Sequence, residues 1–272
     1  MTLVERCVIP DLSPQRIVCL TEETVETLYL LGQQDRIVGV TGYAIRPPQV
    51  RREKPRVGAF TSADIPKILE LRPDLVLTFS DLQADIVAQL IRAGVAVHAF
   101  NQRDIHGIFR MIRTLGALTS VAERAETLIA SYAERIDALR LATPNIRMRI
   151  YFEEWDVPMI SGIRWASELI GVAGGVDVFE NLSYAPAAKD RIVTSEQVIA
   201  AAPDVIIGSW CGKKLRPEKI AARPGWHEIP AVKNGHIFEI KSPLILQPGP
   251  AALGDGLDAI CAIVAAVKED RS

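Results

Sequence analysis

The sequence predicts an α/β fold of two similar lobes joined by one long helix. Three observations predict it: a helix–turn–strand phrase that occurs twice, short apolar strands alternating with helices in both halves, and a long amphipathic stretch between the halves. The repeated phrase reads IPKILELRPDLVLTF at residues 65–79 and SEQVIAAAPDVIIGS at residues 195–209. In each, a short helical stretch runs into a Pro-Asp turn, where the proline ends the helix. The apolar runs that follow, at 75–77 and 205–207, suit strands buried on both faces.

The remaining elements follow in order. RIVCLTEETVETLYLLGQQDRIVGVT gives a strand, a helix, a stop at Gly32 and a second strand. ADIVAQLIRAGVAVHAF adds a helix, a cap at Gly94 and a strand. The stretch 119–141, TSVAERAETLIASYAERIDALRL, is the strongest helix: Ser120 and Glu123 are spaced for a capping box, and Val121, Ala125, Leu128, Tyr132, Ile136 and Leu139 form one stripe. At ~1.5 Å per residue it would be about 34 Å long. In the second half, ASELIGVAGGVDVFEN gives a helix stopping near 171–175 and a short extended piece, and VKNGHIFEI enters a strand through the Asn234-Gly235 turn. QPGPAALGDG, at 247–256, reads as a rigid loop before the last helix. Strands alternating with helices imply parallel sheets with crossover connections. The expected organisation is an N-terminal lobe over 1–117, a connecting helix over 118–142 and a C-terminal lobe over 143–272.

Bulk properties narrow the function. The chain has 272 residues, 49% of them hydrophobic and 24% charged, which is globular composition and leaves room for two lobes. A net charge of −2 gives no basic footprint for nucleic acid. No apolar run approaches the roughly 18 residues of a membrane helix, so the chain is expected not to be membrane-embedded. The four cysteines, Cys7, Cys19, Cys211 and Cys261, contain no C-x-x-C pair. They predict neither a zinc site nor a disulfide framework. The redox state of Cys7 and Cys19 stays open, with free thiols favoured. MTLVERCVIPDLSPQ lacks the basic-then-apolar layout of a signal peptide.

The order RIVCLTEETVETLYLLG, RIVGVTGYAIRPPQV and RVGAFTSADIPKILELRPDLVLTF resembles the helical-backbone (class III) substrate-binding proteins of ABC importers. The resemblance covers residues 15–265 and is greatest to the cobalamin binders, with ferric-siderophore binders next. It implies two Rossmann-like lobes bridged by one helix, a monomer, a cleft ligand such as cobalamin or a ferric chelate rather than a cofactor, an ABC permease as partner, and a periplasmic location. In such proteins a surface glutamate on each lobe pairs with permease arginines. Glu196 stands at that place in the second half, whereas Pro66 stands at it in the first. That departure and the N-terminus keep a cytoplasmic sensor or enzyme on the same fold as an alternative.

Ligands of open α/β sheets bind beyond the carboxyl ends of the strands. This rule nominates the segments 21–23, 41–46, 58–61, 80–81, 153–155, 163–165, 209–213 and 241–247. They hold Tyr43, Phe60, Trp155, Trp165 and Trp210, broad faces with polar handles that suit a flat amphipathic ligand. Arg46 and Arg164 lie beside these aromatics and suit anionic chelates, as do Arg191, Lys213 and Lys214. Cys211 follows Trp210 as a candidate soft donor. The four histidines are scattered, so no bare metal site is expected. GDGLDA at 254–259 matches a dinucleotide fingerprint only superficially and reads as a helix start. No nucleophile elbow, Walker loop or H-E-x-x-H occurs. In a strand Glu153 and Glu154 would face opposite sides and could not act as a pair; in a loop they could, though as acid and base they lack a visible partner. A binder rather than an enzyme is expected, with no catalytic residue.

Overall fold

The computed structural model describes residues 12–143 and 147–270. Two compact units emerge, one of residues 1–100 with 113–125 and one of residues 101–112 with 126–272. The chain therefore passes between units three times, twice inside helices.

The elements begin with β1 (Ile17–Cys19), α1 (Glu22–Leu30), β2 (Ile37–Val40), α2 (Val50–Glu53), α3 (Ile65–Glu70), β3 (Leu75–Phe79), α4 (Ala84–Arg92) and β4 (Val97–Phe100). Next come α5 (Ile105–Leu118) and α6 (Ala122–Ala142), each with residues in both units. They are followed by β5 (Met148–Asp156), β6 (Met159–Ser161), α7 (Arg164–Val172), β7 (Gly175–Asp177), α8 (Glu180–Ser183), α9 (Ser195–Ala201) and β8 (Val205–Gly208). The chain closes with α10 (Pro217–Ala221), α11 (Pro230–Lys233), β9 (Ile237–Glu239), α12 (Ser242–Ile245) and α13 (Leu257–Asp270).

The first sheet has the order β2-β1-β3-β4, all parallel. The second repeats that plan: β7 pairs one side of β5, β8 the other, and β9 follows β8, all parallel. It adds β6, which returns antiparallel on β5. Every residue of β3 and β8 is buried, as strands covered by helices on both faces should be.

The repeated phrase folds by one physical device in both units. Arg72 and Ala202 take left-handed backbone angles, φ 45° and 42°, and turn the chain out of α3 and α9 just before the proline. The aspartate after the proline then fastens the first strand of its sheet. Asp74 accepts the backbone N–H of Gln15 and Arg16 at 2.7 and 2.9 Å, and Asp204 accepts that of Arg149 at 2.9 Å. The same two arginines reach back to helix-end carbonyls, Arg16 to Leu71 at 2.6 Å and Arg149 to Ala201 at 2.6 Å. Charged acceptors of backbone N–H groups make strong hydrogen bonds. Asp74→Ala should therefore lower unfolding free energy by about 1–2 kcal/mol. An unchanged urea midpoint would show the staple to be idle.

The long helix of the sequence is α6, 21 residues long, and it starts at Ala122. Ser120 and Val121 donate their backbone N–H groups to Ala117 and Gly116, which closes α5 with a left-handed serine at φ 59° two positions before α6 begins. A Cβ on Gly116 would lie 2.3 Å from that of Ala125, so α5 and α6 approach there as closely as a glycine permits. The stretch 247–256 differs from expectation: it is helical from Pro250, with a wide turn over Ala252–Gly256 broken by Gly254 (φ −97°, ψ −105°). Its proline lacks an N–H, which suits a helix start as well as a loop. No helix among the described residues is long and apolar enough to cross a membrane.

Candidate functional site

Each unit presents its own set of strand-end segments. In the first, Gln83 is the fully buried organiser, and nothing in its sequence context singles it out. Its amide donates to the carbonyls of Leu20 at 3.2 Å and Phe60 at 2.7 Å, and its oxygen accepts the Phe79 N–H at 2.9 Å. One side chain thus ties the ends of β1 and β3 to the segment carrying Phe60. Phe60 is half-buried and Tyr43 is exposed. Arg46 is paired with Glu26 at 2.9 Å beside a cavity of about 370 Å³ that also includes Tyr29 and Pro47.

In the second unit the carboxyl end of β5 carries two ion pairs on opposite faces. Glu153, fully buried, grips Arg223 through both oxygens at 2.6 and 2.9 Å. It also accepts the Trp210 indole N–H at 3.2 Å and the Tyr151 hydroxyl at 3.1 Å. Burial first, then the neighbouring Glu153 charge, pushes the Tyr151 hydroxyl well above its usual pKa, so it stays a donor. Glu154 faces the other way and pairs with Arg191 at 2.5 Å. Arg191 is buried and also donates to the Ser161 carbonyl, which makes it a structural cation. Arg223 lies over the Trp226 ring at 4.5 Å, and the Trp226 indole donates to Ser195 at 2.5 Å.

The predicted aromatic residues separate into two kinds. Trp155 is on β5 rather than in a loop, is half-buried, and uses its N–H on the Val157 carbonyl at 3.0 Å. Trp210 follows β8 and is 5% exposed. The Lys213 ammonium stands 5.5 Å from the Trp155 ring centre and 5.0 Å from that of Trp210, and it is ion-paired with Asp156. Together they make a fixed aromatic–cation cluster. Trp165 stands apart from it. It begins α7, is 3% exposed, and donates to the Ile245 carbonyl at 2.8 Å, so its face and its handle are both spent inside the unit.

Arg164 is bound to Glu168 at 3.0 Å and Asp104 at 3.4 Å, and lies 4.9 Å over the Tyr184 ring. Asp104, a residue with no mark in the sequence motifs, accepts the Gly107 N–H at the start of α5. The Cys211 thiol is exposed, Cys19 is buried, and Cys7 lies outside the described residues. Among the described residues no three His, Cys, Asp or Glu side chains are placed to hold a metal ion.

Beyond the ends of β8 and β9 opens a cavity of about 420 Å³, lined by Trp210, Lys213, Lys214, Glu239, Lys241 and Ser242 among others. Glu196 is exposed in the first turn of α9, its carboxyl held below the usual range by its own backbone N–H and then by Thr194. Pro66 occupies the matching position of α3.

A family model described as periplasmic binding protein matches residues 17–244. A vitamin B12-binding protein of Vibrio vulnificus is 24% identical over 94% of this chain and 92% of its own. Among solved structures, the periplasmic vitamin B12 binding protein BtuF of Vibrio cholerae matches with a TM-score of 0.75 at 25% identity, over 94% of this chain and 98% of that one. The periplasmic heme-binding protein RhuT from Roseiflexus sp. RS-1 matches with a TM-score of 0.76, also at 25% identity, over 92% and 99%.

Proposed function

The chain belongs to the periplasmic binding protein family, and from that premise we propose that it is the substrate-binding component of an ABC importer and captures a corrinoid. The observation that carries the ligand is the near-full-length match to vitamin B12-binding proteins. The half-buried Trp155 beside Lys213 supports it, because a corrin ring offers a broad apolar face to an accessible indole, while the buried Trp210 holds the cluster from behind. In this reading Tyr43 and Phe60 supply further aromatic contact from the first unit's strand ends. Arg46, Arg164 and Cys211 serve as rim groups, the two arginines by exchanging their carboxylate partners for the ligand. Trp165 acts only as a support for its loop. Glu196 meets an arginine of the permease, outside the membrane on the ligand-receiving side, and the protein works as a monomer without a cofactor or catalytic step.

A second reading, a heme or ferric chelate, is favoured by the equal identity to a heme-binding protein and by the lysines near Trp210. Titration with cyanocobalamin and with hemin, followed by native mass spectrometry and visible spectra, separates the two. A one-to-one cobalamin complex with a shifted spectrum is expected; hemin binding without cobalamin binding transfers the assignment. Trp155→Ala should weaken corrinoid binding by about 10- to 30-fold, the range of an aromatic anchor, with the far-UV spectrum unchanged. Affinity equal to wild type would remove Trp155 from the site.

A further inference from the structure

We infer that the cavity beyond β8 and β9 is a subsite for an anionic group, a carboxylate or a phosphate, carried by the bound small molecule. The inference rests on the small-molecule reading above and adds the charge of the ligand to it.

The cavity places three lysines, Lys213, Lys214 and Lys241, against a single carboxylate, in a chain whose net charge is −2. That carboxylate, Glu239, is committed to the protein: its Oε1 accepts the Leu215 N–H at 3.0 Å. Lys213 is neutralised by Asp156 and held over two indole rings. Lys214 and Lys241 have no ion-pair partner among the described residues. Two uncompensated ammonium groups therefore share one concave site, and concave walls focus such a field on a counter-ion. Each ammonium carries three donors and binds carboxylate or phosphate as a point charge. The half-buried Ser242 adds a hydroxyl donor at the same wall.

The fourth side is apolar. Trp210 is fixed from behind by Glu153, so the wall it gives the cavity is rigid. A flat ligand with an acid arm at its rim satisfies both halves, the ring beside the Trp155–Lys213 side of the cluster and the arm on the lysines. Porphyrins carry such arms as propionates, and cobalamin carries a phosphodiester in its nucleotide loop. The shared chemistry is the anion, and the source is settled by the ligand pair that responds.

The test crosses one protein variant with two ligand pairs, using the full chain. Wild type and a Lys214→Gln/Lys241→Gln double variant are titrated with cyanocobalamin and with dicyanocobinamide, which lacks the phosphodiester. Both are then titrated with hemin and with its dimethyl ester. Both lysines are exposed, so the variant is expected to keep the wild-type melting temperature. The variant should lose about 10- to 100-fold in affinity for the member of one pair that carries the acid group and less than 3-fold for the member that lacks it, a coupling that the cycle isolates. Loss confined to the cobalamin pair identifies the phosphate, and loss confined to the hemin pair the carboxylates. Equal effects on both members of the pair that binds would overturn the subsite while leaving the binding function intact. Wild-type protein that binds none of the four overturns the proposed function and the subsite with it.

Discussion

Glu153→Ala is expected to cost about 3–5 kcal/mol of unfolding free energy, the cost of breaking a buried ion pair from one side. The side chain it removes accepts from Arg223, Tyr151 and Trp210 at once. Arg223 would keep its charge in a site where its side chain is 18% exposed, and the Tyr151 and Trp210 donors would lose their oxygen. The geometry itself forces this cost, because Glu153 is fully buried and cannot be replaced by water without opening the packing around Tyr151, Ile206 and Trp226. Urea unfolding followed by tryptophan fluorescence gives the number directly. A Glu153→Met/Arg223→Met variant should recover part of the loss, since apolar groups leave no charge unpaired. A loss below about 1 kcal/mol for Glu153→Ala would mean that solvent reaches Arg223 freely.

Asp177→Asn is expected to stabilise the protein above neutral pH by about 3 kcal/mol relative to its effect at pH 3. Asp177 ends β7 with one oxygen on the Phe179 N–H at 3.0 Å, and its other oxygen is buried without a hydrogen-bond partner. Burial is the main cause that raises its pKa from 3.8 to about 6. The raised folded value fixes the sign. Below about pH 3 the carboxyl is neutral in both states and the fold bears no charge cost; as pH rises from about 4 to 6 the unfolded chain ionises while the folded state resists, and stability is lost until both are ionised. Asparagine keeps the acceptor for Phe179 and never ionises. The difference in unfolding free energy between variant and wild type, measured from pH 3 to 8, should open between about pH 4 and 6 and level off above 7. A difference independent of pH would place Asp177 in contact with water.

The architecture was legible because it depends on patterns that are local. The paired Pro-Asp phrases, the buried runs after them and the 3.6-residue stripe of α6 are all visible within fifteen or twenty residues. The helix α5 is hard to see in the sequence, although Ile105, Ile108, Ile112 and Leu115 follow helical spacing, because Gly107 and Gly116 interrupt the pattern and the Asp104 cap shows only in the hydrogen bond from Gly107. The strand-end rule nominates segments by topology alone, and it does not separate aromatics that are partly exposed from those that fill a unit. Trp165 and Trp155 are alike in sequence context; what divides them is a carbonyl at Ile245, eighty residues away, that takes the Trp165 N–H. The same limit applies to cations. Arg191 looked like a loop charge, and its role is set by Glu154 and Ser161, which lie some thirty residues before it. Long-range partners decide such roles, and no short window of sequence contains them.

The way the two units share the chain has a practical consequence for dissection of the protein. Neither unit is a continuous stretch: residues 113–125 belong with the first hundred, and residues 101–112 with the remainder. A gene truncated after Phe100 would encode the first sheet without the Gly116–Ala125 helix crossing that packs within its unit. One starting at Ile105 would carry a fragment of its neighbour. No single protease cut or stop codon liberates an intact half, so chimeras that exchange ligand specificity between relatives need three junctions, one after Phe100 and one inside each of α5 and α6, rather than one.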